Sequence, residues 1–250
     1  MMRLKKSVQL ILMLMVLTAA IGATEYRRQQ RVCTQIAVTI EHTGEDSFVS
    51  EREIRSLVNQ ESKSIIGVPL MTLDLKQLER QVAKNPYIDQ ANVHYDLEGQ
   101  VHVAVEQSRP IARLVHPKLP HAYVSTLGKL LPLSAKHTAR VLLVSGEYVP
   151  KLSQKNWEQD STCAQYLSLL QYIEQNEFWQ AQIAQVDIGS EGKVTLYPQV
   201  GKQTIEFGKP DQISEKFYKL ELFYQQILPR KGWNHYNRVS LTYENQIVCD

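Results

Sequence analysis

Residues 65–114, IIGVPLMTLDLKQLERQVAKNPYIDQANVHYDLEGQVHVAVEQSRPIARL, decide the fold of the first folded unit. Asp74 with Gln77 reads as a helix start, and Leu75, Leu78 and Val82 recur at helical spacing. Asn85-Pro86 closes that helix at about ten residues, because the residue before a proline disfavours the α region. Ala91, Val93 and Tyr95 then alternate with polar residues, Asp96 to Gln100 with Gly99 reads as a turn, and Val101, Val103 and Val105 alternate with His102 and Ala104. That is a β-hairpin.

Upstream, Gln35 to Ile40 sets Ile36, Val38 and Ile40 against Gln35, Ala37 and Thr39, the period of two of a half-buried strand. A helix start follows at Ser50, where Ser50 and Glu53 form a reciprocal capping box and Val49 can staple onto Ile54. Ile54, Leu57 and Val58 supply its buried stripe. The order β-α-α-β-β defines a compact α+β unit, a three-stranded sheet with two helices on one face.

Downstream, Leu130 to Ser134 and the run ARVLLVSGEYV (139–149) open a second unit. Cys163, Leu167, Leu170 and Ile173 mark a helix; Val186/Ile188, Val194/Leu196 and Ile205/Phe207 mark three strands separated by glycine turns, predicting a mainly antiparallel sheet with flanking helices. Asp211 is placed to cap a further helix whose stripe is Ile213, Phe217, Leu220, Tyr224 and Ile227, with Leu228-Pro229 as its end. Arg238 to Tyr243, with Val239, Leu241 and Tyr243 on one face, reads as the last strand. It lies at a sheet edge if sheet order follows chain order; the competing arrangement is an edge covered by the chain itself.

The N-terminus has a basic start, Arg3, Lys5 and Lys6, before the uncharged run Ser7 to Thr24. At roughly 1.5 Å per residue that run covers about 27 Å, enough to span a bilayer's hydrocarbon layer. A cleaved signal peptide fits the same residues, given the small Ala19, Ala20, Gly22 and Ala23. Arg27, Arg28 and Arg31 follow, so the flanking positive charge does not itself fix orientation. Both readings export the remainder. The expected division is residues 1–33 (short tail, transmembrane helix through 7–24, linker), 34–111 and 112–250.

Twenty-eight basic and 26 acidic residues leave a charge of +2, too balanced for a nucleic-acid footprint. Cys33, Cys163 and Cys249 are far apart with no CxxC pair, which argues against zinc and a disulfide framework. There is no GxSxG elbow, phosphate loop or HExxH, so no catalytic, cofactor-binding or metal residue is assigned and no cofactor is expected. His116 and His121 are separated by Pro117 and Pro120 and read as a solvated loop. His94 and His102 face each other across the hairpin, as two exposed imidazoles or a weak metal pair. Glu51, Arg52, Glu53 and Arg55 read as a solvated helix face.

These patterns together resemble the FtsQ/DivIB family of bacterial cell-division proteins. Residues 65–114 are similar to its POTRA domain: Pro86, Tyr87 and Ile88 stand where the family has proline, an aromatic and an aliphatic, and Pro110 with Ala112 match the exit from the last strand. Glu106 falls four residues before Pro110, one more than is usual there. Gly128, Pro132, Leu133 and Gly146 match the opening of the family's β-domain, with Ser125 where an aspartate is common, and residues 194–250 resemble its C-terminal half. The resemblance implies a non-enzymatic divisome scaffold in the inner membrane, single-pass with its C-terminal region in the periplasm, enriched at the septum. It implies other division proteins as partners of the POTRA domain. It also implies an FtsB-like partner, arriving with an FtsL-like one as a coiled coil, on the last strand of the β-domain. Tyr243, Asn245 and Gln246 are the matching positions, with Leu241, Ile247 and Val248 beside them. An exported enzyme and the POTRA module of an outer-membrane assembly system are the alternatives; the latter requires many barrel strands that the second unit has little room for.

Overall fold

A computed structural model describes residues 6–41, 47–59 and 64–250. The basic start at Arg3 and Lys5 lies outside them. The chain divides into two compact units, Met1–Gln107 and Ser108–Asp250. The boundary falls four residues before the expected 111/112.

The first unit opens with helix α1, Lys6–Gln29. Leu10 to Leu17 and Ile21 are all more than half exposed, so its apolar surface runs right round the helix and, among the described residues, stays uncovered. Among the described residues, no helix is long and apolar enough to cross a membrane.

Strand β1 is Gln35–Glu41, helix α2 is Glu51–Val58, α3 is Leu75–Val82, β2 is Ile88–Tyr95 and β3 is Gln100–Gln107. The sheet order is β1-β3-β2, with β1 parallel and β2 antiparallel to β3. Both helix starts follow local chemistry. Ser50 and Glu53 make the reciprocal capping box, and Asp74 accepts from the Gln77 amide at 2.9 Å. Val49, Ile54 and Val58 from around α2, Leu78 and Val82 from α3, and Val101, Val103 and Val105 from β3 are buried. The helices thus cover the sheet as expected, although α3 is eight residues long.

The second unit contains β4 Pro110–Leu114, β5 Ala122–Ser125, β6 Leu130–Pro132, β7 Leu142–Ser145, α4 Val149–Ser153, α5 Ser161–Gln175, α6 Glu177–Gln182, β8 Ile183–Ile188, β9 Val194–Pro198, β10 Thr204–Gly208, α7 Ile213–Leu222, α8 Leu228–Lys231, β11 Arg238–Ser240 and β12 Val248–Cys249. One nine-stranded sheet runs β12-β11-β10-β9-β8-β7-β4-β5-β6. Pro110 and Ala112 therefore begin this sheet; they are not the exit of the preceding one.

The sheet is more mixed than expected. The pairs β4–β7, β7–β8 and β10–β11 are parallel. Parallel neighbours need long crossovers, and for two of these pairs helices supply them: α4 to α6 between β7 and β8, and α7 to α8 between β10 and β11. Those helices bury Cys163, Tyr166, Leu169, Leu170, Ile173, Phe217 and Leu220 in one core with Val186, Leu196, Ile205 and Phe207 from the strands.

Two helix-end expectations are corrected. Asp211 does not cap α7: its carboxylate is taken by the buried Lys216 ammonium at 2.5 Å, and Gln212 stands at the cap in the left-handed region (φ 46°). Pro229 does not end the helical run either. A π-helical turn, Phe223–Ile227, precedes it, and the proline sits in the first turn of α8, where its missing N–H costs little.

Candidate protein-binding edge

The last strand differs from the one read in the sequence. Only Arg238–Ser240 pair as β11, parallel to β10 with Val239 opposite Ile205. Leu241 still donates its amide to Glu206 O at 2.9 Å, and its side chain is completely buried in the core. Its side chain, expected at the partner-binding edge, is therefore not exposed for contact. The outer side of β11 is covered by β12, antiparallel, with Val239 opposite Cys249 and Ser240 opposite Val248. The edge of the sheet is thus β12, and the self-covered alternative holds for β11.

The segment between them is held at both ends. Lys219 on α7 donates to the carbonyls of Leu241 (3.0 Å) and Tyr243 (2.7 Å), two of the groups that leave the sheet there. Burial, ahead of the nearby Lys216 charge, holds the Lys219 ammonium below the usual lysine range. The chain reverses at Asn245, whose φ of 53° is a conformation asparagine tolerates better than most residues. Tyr243, Asn245, Gln246 and Val248 are exposed, and Ile247 and Cys249 are half-buried against the core. Of the six residues singled out from sequence, five lie on this return loop and strand.

Across the strands, Arg238 reaches Glu206 through Nε at 2.7 Å and a second guanidinium nitrogen at 2.9 Å, and Asp250 at 3.5 Å. The Arg238 guanidinium holds the Glu206 carboxyl below its ordinary range. This fork ties β10, β11 and the end of β12 together on their exposed side.

Backbone alternation decides what β12 offers. Arg238 and Asp250 exchange both hydrogen bonds, at 3.0 and 3.1 Å. In an antiparallel ladder such pairs alternate with pairs that exchange none. Val239/Cys249 is therefore a non-bonded pair, and the N–H and C=O of Cys249 point out of the sheet. At the far edge, β6 ends on Pro132, which has no N–H to offer. In the small sheet, the Val93 amide of edge strand β2 is taken by Glu79 of α3 at 2.9 Å.

The histidines singled out from sequence pair locally, and the cysteines are buried or half-buried. The His94 and His102 rings stack with centroids 5.1 Å apart, and His102 Nε2 lies 3.0 Å from Asp96 Oδ2. The hydrogen bond from His102 holds the Asp96 carboxyl at about 2. His121 is 3.0 Å from Arg113, and His116 accepts from the Lys118 amide at 3.2 Å. Among the described residues, no group of three or more histidine, cysteine or acidic side chains is placed to hold a metal. All three cysteines are free. Burial pushes the Cys163 thiol up to about 11, far from a reactive thiolate.

The first unit, a three-stranded sheet with two helices, is the frame of a POTRA-like domain, and residues 31–106 match the model of that domain. Residues 109–250 match the model described as FtsQ/DivIB, C-terminal related. The chain belongs to the FtsQ/DivIB family, whose members act in bacterial cell division. A comparison with curated proteins gives no match.

Sequence reasoning missed β12 because two paired residues carry no periodicity. The available signal was the apolar triplet Ile247-Val248-Cys249 directly after the polar run Thr242 to Gln246, the pattern of a chain turning back onto its sheet.

Proposed function

We propose that this protein is a non-enzymatic scaffold of the division machinery that docks an FtsB/FtsL-like coiled-coil pair on the exposed edge of β12. The outward-facing backbone of Cys249, on a sheet whose opposite edge ends in proline, carries this reading. An incoming strand completes that edge through main-chain bonds, while Tyr243, Asn245, Gln246, Ile247 and Val248 supply side-chain contacts. The POTRA domain contacts other division proteins.

Residues 7–24 anchor the chain in the inner membrane as a single pass, with the rest in the periplasm and enriched at the septum. The continuous, uncovered apolar surface of α1 supports the anchor, because a helix apolar on every face has its favourable surroundings in lipid. The test is a photoreactive amino acid placed at Val248 in living cells, with captured chains identified by mass spectrometry. Capture of small single-pass coiled-coil proteins at Val248 and not at Glu147 is expected. Equal capture at both positions, or none at Val248, sinks the placement.

A further inference from the structure

The POTRA unit carries a cluster of exposed apolar side chains at the end where α1 joins it. Arg31 and Val32 follow α1 directly, and the chain there is stitched to two loops. Leu70 donates to Arg31 O at 2.9 Å, Cys33 to Val68 O at 2.9 Å, Gly67 to Cys33 O at 2.7 Å, and Thr34 to Gly99 O at 2.9 Å. The loop 65–72 and the hairpin turn at Gly99 are therefore fixed beside the end of the helix.

On these loops Ile66, Met71 and Leu97 are exposed, Leu97 at 82%. Val32 and Tyr26 add to the same end. An apolar tip residue so exposed gains nothing from the fold that holds it.

A recess of about 520 Å³ relates this cluster to the helix: Thr24 and Arg31 line it together with Leu70, Met71, Tyr95, Asp96 and Leu97. Met71 and Leu97 thus lie beside the stretch of α1 and its exit between Thr24, the last residue of the uncharged run, and Arg31. The headgroup layer of a bilayer is about 5–8 Å deep on each side. Residues 25–29 of α1, at about 1.5 Å each, rise through a similar distance. Side chains beside residues 24–31 of an anchored α1 therefore face that layer.

We infer that the POTRA unit rests on the lipid surface, with Leu97, Met71 and Ile66 inserted among the headgroups and Arg31 at the phosphates. The inference depends on the anchoring of residues 7–24 proposed above. Apolar insertion dominates over charge, because Asp96 and Glu98 flank Leu97 and offset the basic contribution. The consequence is a POTRA unit held in a fixed orientation above the membrane instead of swinging on its linker.

All three tryptophans, Trp157, Trp179 and Trp233, lie in the second unit, so an added indole in the first can be read by difference. The full-length protein carrying Leu97→Trp, and separately Met71→Trp, is reconstituted in vesicles of phosphatidylcholine with a minority of phosphatidylglycerol, with and without lipids brominated near the headgroup. Glu106→Trp, exposed at the far end of the hairpin, is the reference. Co-flotation with the vesicles reports the anchor; quenching of the added emission reports the surface contact. Severalfold stronger quenching at Leu97 and Met71 than at Glu106 is the expected result. Flotation with equal quenching at all three positions overturns the lipid contact alone and leaves these side chains to a protein partner. Failure to float overturns the anchor and the contact with it.

Discussion

Replacing Cys249 with proline tests the docking edge at a single atom. The Cys249 amide points away from β11, so Cys249→Pro leaves the Arg238–Asp250 pair of hydrogen bonds, at 3.0 and 3.1 Å, in place. What it removes is one donor on the open side. A neutral hydrogen bond contributes about 1 kcal/mol net, which is about fivefold in Kd. The ring also projects into the line of an arriving strand, so fivefold is the floor. Cys249→Ala keeps the amide and controls for the half-buried thiol. Val248→Pro is the opposite control: Val248 is opposite Ser240 in a bonded pair, and losing that donor loosens β12 itself. The assay is equilibrium binding of the FtsB/FtsL-like pair to full-length protein in nanodiscs, with thermal unfolding followed in parallel. Cys249→Pro is expected to unfold like the parent and bind at least fivefold more weakly, with Cys249→Ala binding normally. Wild-type affinity in folded Cys249→Pro would refute strand addition at β12.

Two further outcomes follow from the packing and the charges. Phe217 lies 4.7 Å from Tyr172, 5.0 Å from Trp179 and 5.4 Å from Phe207 by ring centroid. Phe217→Ala should therefore cost about 3–5 kcal/mol in denaturant unfolding of the second unit, and a loss below about 1 kcal/mol would show that this aromatic core repacks. Asp96 titrates at about 2 in the folded chain, below its ordinary 3.8, chiefly through the hydrogen bond from His102. Its contribution to stability is thus complete above the ordinary aspartate range and is lost as pH falls toward 2. A carboxyl titration by NMR should give that midpoint, and His102→Gln should move it up toward 3.8; an unmoved midpoint would exclude His102 as the cause.

How much of this could be read in advance depended on how local the determinants were. The Ser50–Glu53 box, the Asp74 cap and the β2–β3 hairpin each rest on residues within a few positions of one another, and each formed where the sequence placed it. The end of the chain was different. Val239, Leu241 and Tyr243 share a period of two, yet only Val239 and Leu241 are buried, because Lys219 on a distant helix takes the Leu241 and Tyr243 carbonyls and turns the chain out. Asp211 likewise had the chemistry of a cap but a stronger partner in Lys216. The parallel pairings were hidden because a short alternating segment does not state which neighbour it will have, or in which direction that neighbour runs. Residues 243–248 were legible as the region at the sheet's end, while β12, the strand that forms the edge, was not.

The two-residue β12 has a thermodynamic meaning as well as a geometric one. A strand held by so short a ladder belongs to the part of a protein that opens most readily, whereas β9 and β10 in the middle of the sheet open only with the whole unit. A partner strand laid on β12 would close it on both sides. Its amides would then exchange with solvent at the rate of the complex, not of the free clasp. Occupancy of that edge would in that way be written into the lifetime of a few backbone protons, with no change of shape required.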